Sequence, residues 1–129
     1  MASLITHDAL VVDDDLVNRL IAARMLEKLG WTVAASEDGE KALSFLSEKR
    51  VTVVLLDISM PRMSGHEVCQ RIRDDIGDDI KVIAYTAHAQ PEDRRSFLDF
   101  GFDALLVKPI TRERLVEVLN EVGLQAEVH

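Results

Sequence analysis

The sequence predicts an α/β domain in which five β-strands alternate with five α-helices and form one doubly wound parallel sheet. Three observations predict it. Short runs rich in Val, Ile, Leu and Ala alternate with longer segments of helical period through all 129 residues. These runs lack the polar/apolar alternation of a half-solvated sheet, so both sheet faces must be covered. The connections are short, and right-handed crossovers then place helices on both sides.

The first strand is Ala9–Val12, which ends abruptly in Asp13-Asp14-Asp15. Leu16 to Leu29 reads as a helix with Ile21, Ala22, Met25, Leu26 and Leu29 on its core stripe and Gly30 past its end. Asp15 is the best placed of the three aspartates to cap it. Thr32–Ala35 is a second strand, preceded by Trp31. Gly39–Glu48 is a second helix with Ala42, Leu43, Phe45 and Leu46 inward. Val51–Leu56 is the most apolar strand and therefore the expected central one. A helix over Ser64–Asp74 and a strand over Lys81–Tyr85 follow. Pro91–Phe100 is a fourth helix, with proline in its first turn and Gly101 at its end. Ala104–Val107 and Thr111–Glu121, the latter capped by Thr111, complete the series.

Composition bounds the function. Hydrophobic residues make up 47% and charged residues 29%, enough for one core with a solvated surface. The expected organisation is an N-terminal extension over 1–8, one domain over 9–123 and a tail over 124–129. No apolar run approaches the ~20 residues of a membrane span, and Met1–Asp8 lacks the basic start and apolar stretch of a secretory signal. Cys69 is the single cysteine, so an internal disulfide is excluded and a reducing cytoplasm is the expected setting. The formal net charge of -8 repels phosphate backbones, which argues against direct nucleic-acid binding. A monomer is the expected state.

In an open parallel sheet, ligands collect at the carboxyl ends of the strands. Asp13 and Asp14 follow the first strand, Asp57 the third, Thr86 the fourth, and Lys108 with Pro109 the fifth. Three carboxylates, a hydroxyl and an ammonium therefore converge on one edge. Crowded carboxylates raise one another's pKa or demand a cation, and an all-oxygen set favours Mg²⁺ or Mn²⁺. A hydroxyl and an ammonium beside them suit the arrival of a phosphoryl group, whose oxygens need several donors.

Those residues also carry a resemblance. Val11-Val12-Asp13-Asp14-Asp15, Asp57-Ile58-Ser59-Met60-Pro61-Arg62-Met63-Ser64-Gly65, Tyr85-Thr86-Ala87 and Lys108-Pro109 stand in order on the expected strand ends. With them, the chain from Ala9 to about Val122 resembles the receiver domain of two-component response regulators. The resemblance implies the strand order 2-1-3-4-5. It implies Asp57 as the phosphoacceptor, with Asp14, Asp57 and the Ser59 carbonyl as metal ligands and Asp13 acting mainly through water. Thr86 would bond the phosphoryl group, Lys108 would pair with Asp57 before phosphorylation, and the Lys108–Pro109 bond would be cis. The donor would be a histidine kinase or a histidine phosphotransfer domain. Such a chain catalyses only phosphorylation and dephosphorylation of its own aspartate, and is not an enzyme toward other molecules. Val17-Asn18-Arg19 and Met25 to Gly30 resemble hybrid-kinase receivers, although a stand-alone regulator is the other reading.

Each residue also has a plainer interpretation. Asp57 alone fits a turn or helix cap, Thr86 a strand-former, and Lys108 a surface lysine; their joint placement is what favours chemistry. Met60, Met63 and Cys69 read as packing residues, and His7, His66, His88 and His129 show no ligand spacing. His88 lies two residues after Thr86, and in the family that position and the one held by Ser59 tune the phosphoryl lifetime. Leu105 departs from the family's usual Tyr or Phe, which puts an aromatic rotamer switch in doubt. Leu16, Leu20 and Ala23 form a second apolar line on the first helix. It suits either cover by neighbouring loops or, with Pro109, docking of a phosphodonor helix.

Two other classes fit less well. A haloacid-dehalogenase-like phosphatase needs a second Asp two residues after its nucleophile, where Ser59 stands. A flavodoxin-like cofactor binder needs a Ser/Thr/Gly-rich first loop, where Asp13-Asp14-Asp15 would repel phosphate.

Overall fold

The structure, a computed structural model, describes residues 7–124. Most of the expected extension and tail lies outside the described residues. The elements are β1 (Asp8–Val12), α1 (Leu16–Lys28), β2 (Thr32–Ser36), α2 (Gly39–Glu48), β3 (Val53–Asp57), α3 (Gly65–Arg71), β4 (Lys81–Thr86), α4 (Arg94–Phe100), β5 (Ala104–Val107) and α5 (Arg112–Glu121). All five strands are parallel, in the order β2-β1-β3-β4-β5. The order expected from the resemblance is the order found.

Alternate residues of each strand feed two cores. Val11, Val53, Leu55, Ile83, Tyr85 and Leu106 face α1 and α5, packing on Ala22, Leu26, Leu115 and Leu119. Leu10, Val12, Val54, Leu56, Val82 and Leu105 face the other side, against Ala42, Leu46, Val68, Ile72 and Phe102. β3 is buried at every position, which is why its sequence runs apolar without alternation.

Helix starts follow the side chains that cap them. Asp15 accepts the Asn18 N–H at 3.0 Å, and Thr111 accepts the Arg114 N–H at 3.1 Å. Ser64 caps α3 rather than opening it. After Arg71 the chain widens into a π-helical turn, Ile72–Ile76, ended by Gly77 at φ 135°. Pro91–Asp93 is a 3₁₀ turn, so the α-helical part of the fourth helix begins at Arg94. The central strand starts at Val53, although Val51 is buried too.

Two expectations for α1 are corrected. Ile21 is 46% exposed and joins Leu16, Val17 and Leu20 on the outer face rather than the core stripe. Ala23, placed on the outer line by its spacing, packs against the core. The helix is rotated so that Ala22 and Leu26, fully buried, point at the sheet; the small alanine lets the helix approach closely. Among the described residues, no helix is long and apolar enough to cross a membrane.

Candidate functional site

The sheet order brings the strand ends together. β1 lies beside β3, so Asp13, one residue beyond Val12, stands next to Asp57, one residue beyond Leu56. Asp57 is in register with Tyr85, and Thr86 with Val107, which places Lys108 at the same edge. Asp13, Asp14 and Asp57 each offer a carboxylate oxygen, all within 4.8 Å of one another. Asp13 and Asp57 are buried, whereas Asp14 is exposed at the mouth.

The loop after Asp57 is held tightly. The Ser59 N–H donates to Asp57 Oδ1 at 3.2 Å, and the Gly65 N–H to the Ile58 carbonyl at 3.1 Å. A Cβ at Gly65 would sit 2.6 Å from the Asp57 carbonyl oxygen, so only glycine lets the start of α3 approach the aspartate this closely. Thr86 is buried at the same sheet edge, and its Oγ1 accepts the His88 N–H at 3.1 Å. His88 itself is exposed. The Lys108–Pro109 peptide is cis, as the resemblance implied.

Lys108 lies within ion-pair distance of Asp57, its expected partner, but sits closer to Asp13. Its Nζ lies 3.7 Å from Asp57 Oδ1 but 3.2 Å from Asp13 Oδ2. The reason is the burial of Asp13, which has no solvent contact and draws the nearest donors. Asp13 Oδ1 accepts the Asp15 N–H at 2.9 Å, and Asp13 Oδ2 also accepts the Tyr85 hydroxyl. The Lys108 ammonium sits over the Tyr85 ring, 4.4 Å from its centroid.

Charge in this pocket is unbalanced. Burial first, and then the negative charge of Asp13, push the Asp57 carboxyl up to about 6, against the opposing pull of Lys108 and the Ser59 N–H. Burial and the bond to Asp13 also hold the Tyr85 phenol well above its ordinary value, so it stays a proton donor. Three crowded carboxylates, only two of them paired with the Lys108 ammonium, fit a hard divalent cation.

Tyr85 is the residue that sequence reasoning missed. A signal was present, because a phenol in an otherwise aliphatic strand needs a polar partner for its hydroxyl. Leu16, Leu20 and Pro109, the expected docking residues, are exposed, with the two leucines on the outer face of α1. Leu105 is buried against the α2–α3–α4 side, so the usual aromatic position is filled by a packed aliphatic side chain.

The response regulator receiver domain profile matches residues 9–120. The chain belongs to the receiver family. Sensor histidine kinase RcsC of Salmonella typhi is 39% identical over 110 residues, which are 85% of this chain and 12% of that relative. The receiver thus spans about an eighth of the length of that kinase. Vibrio cholerae chemotaxis protein CheY4 matches with a TM-score of 0.82 at 28% identity, over 92% of this chain and 99% of its own. The receiver domain of sensor histidine kinase PA1611 from Pseudomonas aeruginosa has a magnesium ion coordinated in its active site cleft. It matches at a TM-score of 0.79 and 30% identity, over 92% of this receiver and 99% of that chain. The acidic cluster of this receiver fits the family's phosphoacceptor site.

Proposed function

We propose that this receiver takes a phosphoryl group onto Asp57 from a phosphohistidine, in a magnesium-dependent reaction. The observation that carries this reading is the gathering of Asp13, Asp14 and Asp57 within 4.8 Å of one another, with Lys108 paired to Asp13 and Asp57. A carboxylate oxygen of Asp57 attacks phosphorus, an O–P bond forms, and the P–N bond breaks with its electron pair leaving on the donor imidazole. Asp14, Asp57 and the Ser59 carbonyl would hold Mg²⁺, or Mn²⁺ in its place, with Asp13 acting through water. Bound there, the ion would offset the charge of the crowded carboxylates and of the phosphoryl oxygens. Lys108 supplies the second positive charge, and Thr86 supplies a hydroxyl to the phosphoryl group. Ser59, whose N–H bonds Asp57, and His88, whose N–H bonds Thr86, would tune how long the phosphoryl group survives.

The donor is a histidine kinase or a histidine phosphotransfer domain in the cytoplasm, and its helix docks on Leu16, Leu20 and Pro109. Support comes from the exposure of Leu16 and Leu20, at 57% and 58%, beside the acidic edge. The relatives favour a receiver that works as part of a hybrid kinase. Conformational output then depends on Thr86 and Lys108 rather than on an aromatic swing, since Leu105 replaces the ring.

The test is intact-protein mass after incubation with acetyl phosphate and Mg²⁺. One phosphoryl adduct is expected on the wild-type protein, absent in Asp57→Ala and absent without metal. An adduct that persists in Asp57→Ala sinks the assignment. For docking, Leu16→Ala with Leu20→Ala is expected to slow transfer from the cognate donor about tenfold, the scale of losing two apolar anchors. Labelling by acetyl phosphate stays unchanged, and an unchanged donor rate removes the docking surface.

A further inference from the structure

The phosphoacceptor roles leave the Tyr85 hydroxyl without a use. Tyr85 is 1% exposed, next to Thr86, and its hydroxyl donates to Asp13 Oδ2. Lys108 Nζ approaches that same oxygen at 3.2 Å. Two donors therefore share one acceptor, and one of them is also needed at Asp57, 3.7 Å away. With Lys108 as the only donor to that oxygen, a fully buried carboxylate would hold the ammonium at full strength. A second donor divides the demand. The ring of the same tyrosine, 4.4 Å from the ammonium, gives Lys108 a resting place between the two carboxylates.

We propose that Tyr85 is a positioning residue that, through Asp13, keeps Lys108 available to the phosphoryl oxygens on Asp57. This rests on the phosphoacceptor reading and names a further residue for it. Tyr85→Phe removes the hydroxyl and keeps the ring. Beryllofluoride, a phosphoryl mimic, is titrated at saturating Mg²⁺ and followed by calorimetry.

The variant is expected to bind beryllofluoride roughly five- to tenfold more weakly, the scale of one typical hydrogen bond. Its affinity for Mg²⁺ alone should change less than about twofold. In an Asp13→Asn background the same tyrosine substitution should add almost nothing, because its effect runs through Asp13. Equal beryllofluoride affinity in Tyr85→Phe and wild type overturns the inference, as does an undiminished loss in the Asp13→Asn background. Wild-type protein that binds neither Mg²⁺ nor beryllofluoride overturns the phosphoacceptor reading and this inference with it. If Tyr85→Phe does not fold, the wild-type protein carries the test, because Tyr85 is its only tyrosine. Its near-ultraviolet band should shift when beryllofluoride draws Lys108 off the ring, and an unmoved band overturns the inference.

Discussion

Two part-buried charge clusters in this receiver differ in one respect, and the difference separates architecture from chemistry. Arg73, in the π-helical turn after α3, has one anion for its one cation. Its guanidinium donates to the Gly101 carbonyl at 3.1 and 3.0 Å, to the Ile80 carbonyl at 2.7 Å and to Asp103 Oδ2 at 2.7 Å. Asp103 also accepts the Val82 N–H at 2.8 Å. That cluster ties the end of α3 to β4 and to the turn before β5. At the other cluster, Asp13 and Asp57 share Lys108, and Asp14 adds a third carboxylate with no ion pair of its own to that lysine. A balanced, fully bonded pair holds parts together; an unbalanced one leaves charge for an incoming ligand.

Four measurements break or sharpen this contrast. The largest stability effect is expected from Arg73→Ala, about 3 kcal/mol by urea denaturation, because it strands a part-buried Asp103 and two carbonyls. A loss under about 1 kcal/mol would mean that the balanced cluster is not structural.

Asp57→Asn should do the reverse in metal-free protein. The Asp57 value of about 6 in the folded protein exceeds its ordinary 3.8. The carboxyl therefore contributes fully below about pH 4, and its contribution is lost as pH rises through about 6. The neutral variant should be more stable than wild type at about pH 7, on the order of 2 kcal/mol, with the gain vanishing near about pH 4. Destabilisation at neutral pH would show that the acidic pocket is balanced after all.

Asp103→Asn keeps an oxygen for the Val82 N–H but loses the charge opposite Arg73, and should cost about 1 kcal/mol. The smallest change in stability, about 0.5 kcal/mol or less, is expected for the Leu16→Ala and Leu20→Ala pair, whose side chains are exposed. A loss above about 1 kcal/mol would place that face in the fold's own packing.

Local chemistry made much of this receiver legible. The alternation of β-branched runs and helical spacing set the five strands and five helices, since each pattern reflects only near neighbours along the chain. The caps Asp15 and Thr111 were readable for the same reason. So were the strand-end residues Asp13, Asp14, Asp57, Thr86 and Lys108, because a parallel sheet carries all its carboxyl ends to one edge. The strand order itself came through family motifs rather than periodicity.

Tertiary structure decided what lies across from what. The Tyr85–Asp13 contact joins positions 72 apart, and the Arg73–Asp103 pair joins positions 30 apart. Neither has a local signature, because each exists only after the strands pair in their final order. The rotation of α1 was decided the same way: Ile21 and Ala22 are both apolar neighbours, and packing against the sheet chose the smaller one. Spacing along the chain states which faces are apolar. Only the competition of side chains for one interior decides which of them is buried, and which buried charge is left without an equal partner.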